Sequence, residues 1–252
     1  MIITCEQLDL EQINQSGQCF RWTRDPDGTY CIPAYGRILH ARQLGPDRVE
    51  LDCTELDWRA VWSDYFDMQT DYAAMMTRID EQDSYLRAAA AHGYGIRILY
   101  QPLWETIASF IISQNNNILR IRLIISRLCG ESIDFPAPRQ IASMSEAELR
   151  KIGLGYRAEY LLHAAEVFST RGELARLSSM SYAGAREYLM TLRGIGPKVA
   201  DCICLFGLHH TEAFPVDTWV RRIEETHYNG HCPSRGCCSC QHRVRRRFCG
   251  AG

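Results

Sequence analysis

The most informative part of the sequence for the fold is residues 192–217, LRGIGPKVADCICLFGLHHTEAFPVD. Gly194 and Gly196 flank a single apolar residue, Ile195, and Pro197 follows where a helix can start without needing its N–H. Glycine tolerates positive φ and lets another backbone approach closely. The pattern predicts two helices joined by a tight hairpin whose interior is filled by Ile195. The free N–H groups at the start of the second helix suit a phosphate group.

Two charged residues lie at either end of this stretch. Lys198 falls in the first turn of the second helix, beside apolar Val199 and Ala200. The positive end of the helix dipole and partial loss of water both disfavour an ammonium ion, and so favour the neutral amine that a nucleophile requires. Asp217 follows Pro215 at an expected helix N-cap. Taken alone, Lys198 is consistent with a solvated surface charge and Asp217 with a plain helix N-cap. Together they indicate an amine nucleophile facing a carboxylate.

The composition narrows the class of protein. The chain has 252 residues, of which 46% are hydrophobic and 23% charged, as in ordinary globular proteins. Its formal net charge of −2 argues against a surface coated with basic residues, although a local patch is enough for DNA binding. We find neither an apolar run of the roughly 18 residues that a membrane span requires nor a secretory signal pattern. We therefore expect no membrane partner and read most of the cysteines as reduced thiols.

Changes in hydrophobic period divide the chain. The first 53 residues are punctuated by turn residues and predict an antiparallel sheet. Strands are expected near residues 17–22, 29–34 and 49–53. From Asp57 onward apolar residues recur at helical spacing. The predicted fold class is α+β, with an antiparallel sheet domain that includes some helices at residues 1–98, an all-α helix-hairpin-helix domain at 99–231, and a tail at 232–252.

Three further stretches combine polar and aromatic residues. They are SGQCFRW at residues 16–22, SQNNNILRI at residues 113–121 and GLGYRAEY at residues 153–160. Taken alone, the first reads as a strand with a Phe/Trp core contact, the second as a polar helix-capping turn, and the third as an exposed helix start.

All four stretches resemble, in the same order, the motifs of the 8-oxoguanine DNA glycosylases, which belong to the helix-hairpin-helix–Gly/Pro–Asp superfamily. The resemblance runs from residue 8 to about residue 228. It implies a sheet domain followed by a helix-hairpin-helix glycosylase domain. It also implies a bifunctional DNA N-glycosylase and abasic-site lyase of base excision repair, which excises 8-oxoguanine through a lysine Schiff base and β-elimination.

The resemblance assigns the residues around the damaged base. It makes Lys198 the nucleophile that attacks C1′, and Asp217 the carboxylate that stabilises the positive sugar and helps to deprotonate the lysine. The main-chain carbonyl of Gly17 would accept a hydrogen bond from the N7–H of 8-oxoguanine, which guanine lacks. Cys202 would lie against the base.

The resemblance also implies contacts with DNA. Asn115 would fill the gap left by the flipped base, and Tyr156 would wedge into the stack. Arg120 and Arg157 would contact the orphaned cytosine, because guanidinium donors match its acceptors. The expected partner is double-stranded DNA with 8-oxoguanine opposite cytosine. This chemistry needs no metal and no cofactor, and we expect a monomer that is cytoplasmic and nucleoid-associated in a bacterium or nuclear in a eukaryote.

Two features depart from the family. Trp219 stands where the animal enzymes carry a histidine two residues after the aspartate. The tail has no helical periodicity and contains Cys232, Cys237, Cys238, Cys240 and Cys249, without the Cys-x6-Cys-x2-Cys-x5-Cys spacing of endonuclease III. We expect a degenerate, disordered tail rather than a metal site, and an impaired chain.

Two other functions stay open from the sequence. A glycosylase of this fold for another damaged purine, such as an alkylated one, is disfavoured by Lys198, because glycosylases that use water need no amine. The other alternative is a DNA-binding helix-hairpin-helix protein whose catalysis is impaired by the atypical tail.

Overall fold

The structure is a computed structural model and describes residues 1–228. The tail, which the sequence predicts to be disordered, lies outside the described residues. Within residues 1–228, no helix combines the length and the apolar character needed to cross a bilayer.

The first unit is built on an antiparallel sheet, as the sequence predicts, and the described sheet has five strands in the order β1-β5-β4-β3-β2. The strands are β1 Ile2–Thr4, β2 Thr23–Arg24, β3 Tyr30–Ala34, β4 Arg37–Gly45 and β5 Arg48–Leu51. Alternate side chains of β3 are buried, so one face of the sheet is covered. A register shift between Gln43 and Gly45 marks a bulge where β4 meets β5.

The strand predicted at residues 17–22 is wrong. Gly17 has a φ of +79°, which turns the chain out of an extended path. Gln18, Cys19 and Phe20 are all buried one after another, whereas a strand with one covered face would bury only alternate residues. The main-chain carbonyl of Gln18 accepts its hydrogen bond from the side chain of Gln101, 2.8 Å away, and not from a neighbouring strand.

Helices make up most of the remaining regular structure in the described chain. The first unit contains α1 Leu10–Gln15, α2 Glu55–Asp57, a π-helical turn at Trp58–Trp62, α3 Ser63–Tyr65, α4 Tyr72–Met76 and α5 Ser84–His92. The second unit contains α6 Leu103–Ser113, α7 Ile118–Cys129, α8 Pro138–Ala142, α9 Glu146–Lys151, α10 Arg157–Ser169, α11 Glu173–Ser178, α12 Tyr182–Thr191, α13 Pro197–Phe206 and α14 Thr218–His227.

Each unit has its own apolar core, and one residue of each predicted domain is buried in the core of the other unit. Leu99, one residue beyond that boundary, is fully buried with the sheet. Phe20, which precedes the strand β2, is buried in the core of the helical unit instead. The segment after α1, which contains Gly17, therefore bridges the two units.

Candidate active site

The predicted hairpin is present between α12 and α13. Ile195 is buried in its interior, and its N–H donates to the carbonyl of Leu192 at 3.1 Å. Gly194 has a φ of +81°, and Gly196 is the N-cap of α13 without a side chain to occupy the helix start. Pro197 takes the first helical position. The N-terminus of α13 is therefore open to an anion such as a phosphate.

Lys198 lies in the first turn of α13 in a half-buried position. Its side chain lies close enough to the thiol of Cys202, one turn further along the helix, to act on it electrostatically. Its Nζ also lies 5.7 Å from the centroid of the Phe110 ring, which approaches from α6. The amine thus lies between a thiol and an aromatic ring.

Burial raises the pKa of the Cys202 thiol to about 11, even though the nearby Lys198 opposes the shift. The thiol is therefore neutral near pH 7 and does not hold the lysine in an ion pair. Asp217 lies close enough to Cys202 to act on it electrostatically. The structure thus brings Lys198, Cys202 and Asp217 into one site.

Asp217 is the N-cap of α14, as predicted. Its carboxylate accepts hydrogen bonds from the main-chain N–H groups of Trp219 and Val220, both at 2.9 Å. These bonds fix the orientation of the carboxylate and leave it half-buried at the edge of the site. Trp219 itself is 67% exposed.

Sequence reasoning missed the aromatic residues beneath the lysine. The rings of Phe110 and Phe206 are stacked with centroids 5.6 Å apart, and Phe20 meets Phe110 edge-on at 5.9 Å. In the sequence, Phe110 and Phe206 look like ordinary core positions of apolar helices, because no motif marks them. Phe20 lies in the SGQCFRW motif, which is the one sequence feature that could have pointed to this aromatic group.

Gly17 follows α1 in a half-buried turn, three residues before Phe20. Gln18 anchors the turn, since its side chain donates to the carbonyl of Arg97 and accepts from the N–H of Leu99, both at 2.9 Å. No residue of the described chain donates a hydrogen bond to the Gly17 carbonyl. The carbonyl is therefore available as an acceptor for a ligand.

A second surface joins two loops of the helical unit. One loop, which we call the asparagine loop, comprises residues 114–117 between α6 and α7. The other loop comprises residues 153–156 before α10, and we call it the second glycine corner to distinguish it from the hairpin at Gly194 and Gly196. The side-chain amide of Asn115 donates to the phenolic oxygen of Tyr156 at 3.3 Å, and both residues are exposed. Arg120 is also exposed, and its one hydrogen bond from the guanidinium to the Gly153 carbonyl is long, at 3.5 Å.

Arg157 differs from these three exposed residues because it is only 5% exposed. Its guanidinium lies beneath the asparagine loop and donates to the main-chain carbonyls of Gln114 at 2.6 Å, Asn115 at 2.9 Å and Leu154 at 3.2 Å. The structure therefore brings Asn115, Tyr156 and Arg120 to one surface and places Arg157 behind it.

No cluster of three or more His, Cys, Asp and Glu side chains within residues 1–228 has the geometry to hold a metal ion. The cysteines of the tail lie outside this part of the chain.

Comparison with known proteins assigns a class to this geometry. The family described as "HhH-GPD superfamily base excision DNA repair protein" matches residues 108–233, and "8-oxoguanine DNA glycosylase, N-terminal domain" matches residues 1–107. The fold and the hairpin site thus define a base excision DNA repair protein. More narrowly, the chain belongs to the 8-oxoguanine DNA glycosylase family.

Two curated relatives and one solved structure illustrate the likeness. The N-glycosylase/DNA lyase of Saccharomyces cerevisiae is 40% identical over 158 residues, which cover 53% of this chain and 42% of the yeast protein. The N-glycosylase/DNA lyase OGG1 of Arabidopsis thaliana is 30% identical over 88% of this chain and 66% of that protein. The chain therefore matches less than two thirds of the length of either relative. The apo-form 8-oxoguanine glycosylase/lyase of Clostridium acetobutylicum superposes with a TM-score of 0.89 at 31% identity, over 98% of this chain and 90% of that one.

Proposed function

We propose that the chain is a bifunctional DNA glycosylase and abasic-site lyase that removes 8-oxoguanine from duplex DNA. The observation that carries this proposal is the position of Lys198, which is held between the Cys202 thiol and the Phe110 ring with Asp217 at the edge of the same site. A glycosylase that activates water needs a positioned carboxylate but no amine in this place. A half-buried primary amine at this position therefore favours covalent chemistry.

In the proposed reaction, Nζ of Lys198 attacks C1′ of the damaged nucleotide. The C1′–N9 bond breaks, and its electron pair leaves with the base. The ionised Asp217 stabilises positive charge that develops on the sugar, and it then accepts the proton that the amine loses. The C1′–O4′ bond next breaks, its electron pair goes to O4′, which takes up a proton, and a Schiff base forms between the lysine and C1′.

The Schiff base accounts for the lyase step. It acidifies the protons on C2′, and removal of one of them breaks the C3′–O bond. The 3′ phosphate leaves with that electron pair, and water then hydrolyses the Schiff base to release Lys198. The open N-terminus of α13 is suited to hold a backbone phosphate during these steps.

Recognition of the lesion is assigned to Gly17. Its carbonyl has no donor within the described chain and lies in the turn that brings Phe20 to Phe110. The N7–H of 8-oxoguanine supplies a donor, whereas guanine presents a lone pair. An unpaired buried acceptor costs about 1–3 kcal/mol, and this difference separates the two bases.

The sequence contains two lysines, Lys198 and Lys151, and this permits a sharp test. The protein is incubated with a duplex that carries 8-oxoguanine opposite cytosine, and sodium borohydride is added to reduce any Schiff base. We expect Lys198→Gln to lose both base release and the cross-link. Lys151, which is exposed on α9, is the matched control, and Lys151→Gln should still cross-link. A cross-link formed by Lys198→Gln would overturn the assignment.

The same assay distinguishes the other functions. Base release from a duplex with an alkylated purine, but not from the 8-oxoguanine duplex, would indicate a different lesion. Cross-linking to a preformed abasic site without base release would indicate a chain that keeps lyase chemistry but is impaired in recognition.

We further propose a preference for cytosine opposite the lesion, carried by exposed Asn115 and Arg120. The Clostridium acetobutylicum enzyme, 30% identical here, has been solved with duplex DNA that contains cytosine opposite 8-oxoguanine. Turnover with each of the four opposite bases tests the preference, and equal rates would contradict it.

We also propose that one chain is sufficient for activity, because Lys198, Asp217 and the surface with Asn115 all come from the same chain. Its place in the cell would be with the DNA, in the cytoplasm of a bacterium or the nucleus of a eukaryote. Activity that rises more steeply than linearly with protein concentration would argue against a monomer.

A further inference from the structure

The turn that carries Gly17 is anchored closely on the side that follows it. There the side chain of Gln18 is hydrogen-bonded to main-chain groups of residues 97–99, and Phe20 is buried. On the preceding side, the chain leaves the six-residue helix α1 at Gln15, which is exposed. The position of the Gly17 carbonyl therefore depends on how the C-terminal end of α1 is held.

The C-terminal end of α1 lacks part of the usual main-chain support. Ser16 is the C-cap, and Gly17 follows it with a φ of +79°, in the left-handed conformation that commonly ends a helix. In that arrangement, N–H groups after the cap normally donate back to the last carbonyls of the helix. Within residues 1–228, no main-chain N–H after the cap donates to the carbonyl of Asn14. That carbonyl is therefore left for another donor.

Arg122 supplies the donor from α7 of the helical unit. Its Nη2 donates to the main-chain carbonyl of Asn14 at 2.9 Å and to the side-chain oxygen of the same residue at 2.7 Å. Asn14 is only 7% exposed, so both hydrogen bonds are partly shielded from water. A cation is also favourable at the C-terminal end of a helix, and α1 has no basic residue in its own last turn. Arg122 therefore caps α1 across the boundary between the two units.

The surroundings of Arg122 place its charge beneath the turn. Burial raises the pKa of the Cys19 thiol to about 12, and Arg122 is near enough to oppose this shift. Arg122 thus lies close to the chain on both sides of Gly17. Its Nε is buried without an acceptor among the described residues. Because a buried donor without a partner is destabilising, the favourable contribution of the guanidinium comes from the contact between Nη2 and Asn14.

We infer that Arg122 is a positioning residue, which fixes the main-chain acceptor of Gly17 by holding Asn14 at the end of α1. The inference rests on the proposed function in one respect, namely that the Gly17 carbonyl recognises the N7–H of 8-oxoguanine. Arg122 acts through the turn and makes no contact of its own with the base. Because a single nitrogen atom makes both hydrogen bonds to Asn14, the ammonium of a lysine can replace it.

The first test compares release of 8-oxoguanine with cleavage at a preformed abasic site, which has no base for Gly17 to recognise. Arg122→Met keeps a flexible apolar stem but removes the donors. We expect it to slow single-turnover base release by about ten- to a hundredfold and to change abasic-site cleavage by less than about threefold. Arg122→Lys should restore base release to within about threefold of wild type. Arg139→Met, at an exposed position of α8, is the matched control and should leave both rates unchanged.

Three outcomes of this test would overturn the inference. Equal slowing of both reactions by Arg122→Met would indicate a general loss of structure or of DNA binding. Base release at the wild-type rate in Arg122→Met would mean that the turn does not need the arginine. Base release as slow in Arg122→Lys as in Arg122→Met would mean that the contact with Asn14 is not what matters.

A second measurement does not depend on activity. Hydrogen exchange of the free protein, followed by mass spectrometry, should accelerate at residues 14–20 in Arg122→Met and stay near wild type there in Arg122→Lys and Arg139→Met. Exchange at residues 30–45, which form β3 and β4, should be unchanged in all three variants, and this excludes global destabilisation. Failure of the wild-type chain to excise 8-oxoguanine would refute the proposed function alone. Unchanged exchange at residues 14–20 in Arg122→Met would refute the inference alone.

Discussion

Gly194 lies directly against the aromatic ring of Tyr160, so close that a Cβ atom at this position would overlap the ring. Tyr160 is on α10, one turn after Tyr156, and the two rings meet edge-on with centroids 5.7 Å apart. The hairpin that carries Lys198 is therefore packed onto the helix that begins at the surface with Asn115 and Tyr156. The glycine is needed twice, once for its φ of +81° and once for this close approach.

The hairpin glycines differ in what they tolerate, and the difference is testable. We expect Gly194→Ala to lower the free energy of unfolding by about 2–5 kcal/mol, from backbone strain together with overpacking against Tyr160. Gly196 is the matched control, because its φ is −92° and no atom lies within 4 Å of an added Cβ. Gly196→Ala should change the free energy by no more than about 1 kcal/mol. Urea denaturation measures both, and equal losses would contradict the packing argument.

Asp217 combines two roles that substitution can separate. Asparagine keeps the N-cap bonds to α14 but removes the charge, whereas alanine removes both. We expect Asp217→Asn to slow base release by roughly 10²–10⁴, the range for a positioned acid–base group, with little change in the melting temperature. Asp217→Ala should in addition lose about 0.5–2 kcal/mol of stability. If the two variants are equally slow and equally stable, the carboxylate does not cap the helix in solution.

Burial makes the Cys202 thiol unreactive in the folded protein. Because burial raises its pKa from 9.0 to about 11, the thiolate fraction near pH 8 falls by about a hundredfold. Alkylation by iodoacetamide, followed by mass spectrometry, should modify this cysteine at least about a hundredfold more slowly in native than in urea-denatured protein. Equal rates would mean that the thiol is an anion paired with Lys198, which would change the charge assigned to the site.

Asp67 makes part of the stability dependent on pH. Burial alone would raise the pKa of its carboxyl, but hydrogen bonds from His209, Tyr72 and Thr70 outweigh burial and lower it. A folded pKa below the ordinary value of about 3.9 stabilises the protein above that pH, and this stabilisation is lost as the pH falls through the folded pKa. The destabilisation caused by Asp67→Asn, measured by urea denaturation, should therefore be large at pH 7 and shrink toward pH 3. Exposed Asp64→Asn is the control and should show no such dependence.

Much of the hairpin that carries Lys198 was predictable because it depends on local backbone chemistry. A glycine that takes a positive φ, a proline at the first helical position and an aspartate at an N-cap act within a few residues of themselves. The sequence by itself therefore determined the helix-hairpin-helix, the first-turn position of Lys198 and the capping role of Asp217. The five-stranded antiparallel sheet was predictable in kind from turn residues, although not in all its strands.

Tertiary structure alone decided the features that join distant parts of the chain. Residues 17–22 look like a strand, but the packing of Phe20 on Phe110, 90 positions away, keeps them in an irregular turn. In the same way, the sequence places Arg157 at an exposed helix start, whereas the carbonyls of a loop more than 40 residues earlier draw it into the interior. Partners of this kind are selected by burial and by unsatisfied main-chain groups. Burial and unsatisfied main-chain groups arise only once the two segments are in contact, so local sequence patterns do not predict such partners.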